Sequence, residues 1–64
     1  MEEIDIWRAA NQMIEMYGGD AITRAESRAD HLLELGDIEG FEVWKRVIKA
    51  MAKLQNNNSP GAPN

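Results

Sequence analysis

Catalysis needs particular side chains at particular spacings, and the 64 residues of this sequence hold few such arrangements. The single histidine, His31, stands three residues before Glu34, so on a helix the two are neighbours that could share a metal ion. Helical carboxylate–metal bundles use Glu-x-x-His pairs joined by further inward carboxylates from other helices. Here the order is reversed, the pair is expected to face away from the apolar seam, and no second histidine exists. Nucleophilic catalysis asks for a hydroxyl or thiol beside a base that a third group orients. Thr23 and Ser27 have no evident histidine partner on their face, Ser59 lies near the C-terminus, and cysteine is absent. Gly18-Gly19 is too short to cradle a phosphate and matches no glycine-rich loop. Carboxylates are plentiful, but all fall on polar faces, without the pocket that acid–base work requires. The sequence therefore predicts a non-enzymatic protein with no catalytic residues, no metal and no cofactor.

Two charge patterns stand out instead. Glu26, Asp30 and Glu34 repeat every four residues and would stack into an acidic stripe on one helix. Like charges at that spacing destabilise an isolated helix slightly, and the last two sit near the negative end of its dipole. The segment that follows carries Lys45, Arg46, Lys49 and Lys53. In an antiparallel hairpin Asp30 comes level with Lys45 and Glu26 with Lys49, a solvated ladder contributing about 0–1 kcal/mol per pair. The alternative use of the stripe is a face for a basic partner. The basic row is in turn a candidate phosphate contact, with Trp44 as a stacking platform. Against nucleic acid stand the net charge of −4, Glu39 and Glu42 on the same side, and Trp44 falling within an apolar arc.

The elements that would carry these residues are marked by two junctions. Gly18-Gly19-Asp20 and Gly36-Asp37 each read as a glycine stop followed by an aspartate N-cap. They predict helices over about Glu3 to Tyr17, Ala21 to Leu35 and Ile38 to Gln55. Residues 1–55 thus form a single three-helix domain. Residues 56–64 contain both prolines and no large apolar side chain, which predicts a disordered tail. No segment alternates as a strand would, and no repeat of useful length is present. The fold class expected is all-α: a three-helix bundle, or a helical hairpin plus an N-terminal helix, completed by dimerisation.

Helix periodicity shows where a partner would be needed. In helix two, Ile22, Ala25, Ala29, Leu32 and Leu33 fall within roughly 100°, one ordinary seam. Helix one is apolar over roughly 180° and helix three over roughly 200°, more than two neighbours easily cover. A chain this short buries only roughly 60% of its unfolded surface, and such domains add disulfides, a metal or association to become stable. With no cysteine and one histidine, association is the route left. The candidate self-association residues are Trp7, Met13, Met16 and Tyr17 of helix one and Val43, Val47, Ala50 and Leu54 of helix three. The expected function is a protein-interaction module, a homodimer or an adaptor or modulator of an unidentified protein partner. A nucleic-acid-associated regulator is the runner-up, and a carboxylate–metal enzyme comes third. Apolar runs are only a few residues long and the N-terminus, Met1-Glu2-Glu3-Ile4-Asp5, is acidic. Neither a membrane span nor a secretion signal is expected, and the cytoplasm is the expected location.

Two resemblances bear on this reading. Gly40, Trp44 and Val47 within residues 36–47 resemble the second half of a tetratricopeptide repeat, where small, aromatic and small residues follow at four and three. The turn is one residue short, Val47 is larger than the usual alanine, and helix two lacks the Leu-Gly and Tyr positions. A single partial repeat cannot build a solenoid, so the likeness implies only a helical hairpin in which Gly40 permits close approach to helix two. Over residues 4–55 the chain also resembles a family of short uncharacterised bacterial helical proteins. The pattern that carries it is Ile6-Trp7-Arg8-Ala9-Ala10, Tyr17-Gly18, Arg28-Ala29-Asp30, Gly36-Asp37, Gly40 and Trp44-Lys45-Arg46. That resemblance implies a helical fold and a bacterial origin, and no particular activity.

Overall fold

The computed structural model describes residues 2–57. All regular structure among them is helical: α1 (Glu3–Tyr17), a single 3-10 turn (Gly18–Asp20), α2 (Ala21–Glu34) and α3 (Ile38–Asn57). The architecture is the expected all-α hairpin plus an N-terminal helix. α3 continues two residues past Gln55, so Asn56 and Asn57 extend the helix. The rest of the expected tail, 58–64, lies outside the described residues.

The two glycine junctions, alike in sequence, are built differently. At the end of α2, Gly36 takes φ +82°. Its N–H donates to Leu33 O at 3.0 Å, while the Asp37 N–H donates to Leu32 O at 2.9 Å. This paired closure satisfies carbonyls the helix end would leave open, and a glycine holds the left-handed position at no steric cost. Asp37 then caps α3, its Oδ1 accepting the Gly40 N–H at 3.0 Å. At the other junction Asp20 makes no side-chain cap. A capping residue needs extended backbone, and Asp20 sits at φ −89°, ψ 0° within the 3-10 turn. The chain leaves helical backbone at Tyr17 (φ −121°) and Gly18 (φ +56°) and re-enters it through the 3-10 turn, with no extended residue before α2 to serve as a cap. At Gly40 a Cβ would meet the Asp37 carboxylate at 2.5 Å, so the missing side chain makes room for the cap.

α3 is the central element, meeting α2 most extensively and α1 next, whereas α1 and α2 touch least. The buried core is Ile6, Ala10, Ala21, Ala25, Ala29, Val47, Ala50 and Met51. From α2 only alanines are buried. The i, i+4 row Ala21-Ala25-Ala29 turns by about 40° per step, which carries the next member, Leu33, out of the seam to 45% exposure. Leu32, on the inner side of that row, stays half-buried. The sequence placed both leucines in the seam; the drift of the row removes one. At the far end of α3 the Gln55 side-chain amide donates to Gly18 O at 3.4 Å, linking that end to the α1–α2 junction.

Candidate functional site

The residues expected to form a partner face do not stay together. Val47 and Ala50, 1% and 4% exposed, belong to the core. Because α3 is contacted by both other helices, its broad apolar arc is used within the chain, and these two cannot face a partner. Val43 and Leu54 are half-buried against the same core. On α1, Met16 is 64% exposed, while Trp7, Met13 and Tyr17 are half-buried at its margin. Ile4 is exposed as well, and three further aliphatic side chains, Leu33, Leu35 and Ile38, are exposed around the α2–α3 turn. The uncovered apolar surface therefore lies on α1 and at the hairpin tip rather than along α3.

A hollow of about 670 Å³ lies where the end of α1, one flank of α2 and Trp44 of α3 meet. Met13, Tyr17, Leu32 and Trp44 give it apolar walls, and Arg24, Ser27, Arg28 and His31 line its α2 side. Arg24 and Arg28 are one helical turn apart, and each lies over an aromatic ring. The Arg24 guanidinium carbon is 4.4 Å from the Tyr17 ring centroid, and that of Arg28 is 5.5 Å from the Trp44 ring. Cations over ring faces at these distances are attracted by the ring quadrupole. Neither arginine figured among the expected site residues. The signal was present: Arg24, Arg28 and His31 recur at helical spacing beside the alanine row. Its meaning depends on Tyr17 and Trp44, which arrive from other helices.

The opposite flank of α2 is acidic. Glu26 and Asp30 border a smaller hollow with Lys45 and Ile48 of α3, as the antiparallel register of the hairpin requires for Asp30 and Lys45. Lys49 borders a hollow of about 210 Å³ between α3 and the start of α1, with Glu3, Trp7, Arg46 and Lys53. Arg46, Lys49 and Lys53 of the basic row thus lie along the α1–α3 groove with Trp7, while Lys45 is on the α2 side. Further along α3, Lys45 Nζ lies 5.9 Å from the Phe41 ring. His31 is exposed and borders the hollow beside Tyr17 and Trp44. Among the described residues no group of three or more histidine and carboxylate side chains is placed to hold a metal ion, and no helix is long and apolar enough to cross a membrane. No protein-family model, curated protein or solved structure matches the chain.

Proposed function

We propose that this chain is a non-enzymatic protein-interaction module that works as a homodimer, its copies meeting through α1 and the hairpin tip. The supporting observation is the composition of its interior. Five of the eight core residues are alanine (Ala10, Ala21, Ala25, Ala29 and Ala50), while Ile4, Met16, Leu33, Leu35 and Ile38 are exposed and both tryptophans are half-buried. Burying a large apolar side chain contributes about 1.5–3 kcal/mol, and a small domain has little stability to forgo. The outer row of α2, Thr23, Ser27, Asp30 and Glu34, is polar and exposed, so that helix offers no apolar seam to a second copy. Light scattering at micromolar concentration is expected to return the mass of a dimer. Ile4→Glu combined with Met16→Glu is expected to return a monomer with helicity retained. A wild-type monomer at these concentrations contradicts the reading.

A second reading keeps one specific observation: Arg46, Lys49 and Lys53 are exposed along the groove that holds Trp7. Cations flanking an aromatic ring suit single-stranded nucleic acid, and this would make the chain a nucleic-acid-associated regulator. A gel shift at low salt tests it, and absence of binding there ends it. The bacterial cytoplasm is the setting we propose, on the resemblance to short bacterial helical proteins.

A further inference from the structure

The hollow between Tyr17 and Trp44 holds a feature that self-association does not use. Two guanidinium groups, from Arg24 and Arg28, are placed over aromatic rings and border the same space. We infer that this hollow takes an acidic segment of a partner protein, carrying two carboxylates about one helical turn apart beside an apolar side chain. Four residues along α2 separate the two arginines by about 6 Å, which sets the spacing of the carboxylates. A guanidinium stacked on a ring keeps its edge N–H donors for bidentate contact with a carboxylate, and its side chain is already ordered. Ser27 lies between the two arginines and His31 one turn further along, adding polar groups on the same wall.

Charge and shape together select this occupant. No carboxylate lines the hollow; the acidic residues Glu26 and Asp30 border a different one on the far flank of α2. On a chain of net charge −4 the hollow is thus a local cationic patch without an acidic neighbour, unlike the α1–α3 groove, which Glu3 borders, and such complementarity confers register as well as affinity. The ring faces are covered by the arginines, which leaves them poorly placed to stack on bases. Met13 and the rings supply apolar wall that a free phosphate ion would not use. The inference is independent of the dimer: a monomer that binds the segment refutes self-association alone, and a dimer that ignores it refutes this assignment alone.

The test uses Trp44 as the reporter in the full chain carrying Trp7→Phe, which leaves one tryptophan. The probe is a short capped peptide with glutamates four apart and leucines between them. A saturable change in Trp44 emission is expected, weakening as salt is raised and absent with the glutamine version of the peptide. Arg24→Gln combined with Arg28→Gln, both at exposed positions, is expected to weaken binding by about tenfold or more with helicity unchanged. Ser27→Glu, which places a carboxylate in the hollow, is expected to abolish it. The assignment is overturned by no response to the acidic peptide, by an equal response to the glutamine peptide, or by arginine variants that bind as well as the parent. The same emission change with inorganic phosphate alone also overturns it.

Discussion

The seam between α2 and α3 and the rim around α1 are made of opposite materials. In the seam, Ala21, Ala25 and Ala29 are buried on α2, and Val47 and Met51 are the largest fully buried side chains among the described residues. At the rim, Trp7, Tyr17 and Trp44 pack against the core from its edge, half-buried, and Met16 is mostly in solvent. Small side chains bring helix axes close and gain dense contact, but they remove little apolar area from water. The large aromatic side chains lie instead at the edge of the core, half in solvent. Closure of the hairpin and completion of the hydrophobic interior are thus separate tasks, and this chain performs the first more fully than the second.

Substitutions can separate these two tasks. The largest effect is expected in the seam: Met51→Ala should cost about 2–5 kcal/mol in urea unfolding, because the site has no solvent to refill the cavity. Met16→Ala at the rim should cost little in dilute monomer. If the two cost the same there, the division between seam and rim is wrong. The junctions differ in the same way, one fastened and one loose. Asp37→Ala should lower stability by about 0.5–2 kcal/mol through loss of the cap, whereas Asp20→Ala should leave the thermal midpoint nearly unchanged. The smallest effect is a gain. Gly19 does not have positive φ and a Cβ there would meet nothing, so Gly19→Ala should stabilise by about 0.4–1 kcal/mol. Gly36→Ala, at φ +82°, should destabilise in the same assay.

Local signals in the sequence were enough for the elements. The expected span of α1 is the observed one, and α2 and α3 differ from expectation by one or two residues at their C-terminal ends, the usual uncertainty of fraying ends. Gly36 and Asp37 were legible because a left-handed glycine and a cap act within one turn. Asp20 was not, since whether it caps depends on how α1 ends. The candidate site was legible only in part. Helix periodicity treats each helix alone, so it could not show that α3 would be covered on two sides, which takes Val47 and Ala50 out of reach of a partner. For the same reason it could not bring Tyr17 and Trp44 to the arginine flank of α2. What it did identify was an excess of apolar surface, and on α1 that excess remains at Met16 and Trp7.

The most direct measurement of that excess is the thermal midpoint as a function of protein concentration. A chain that completes its interior with a second copy gains stability by mass action, so the midpoint should rise by a few degrees for each tenfold increase in concentration. A midpoint independent of concentration over the micromolar range would contradict the account, and would mean that the chain is stable with its rim in water.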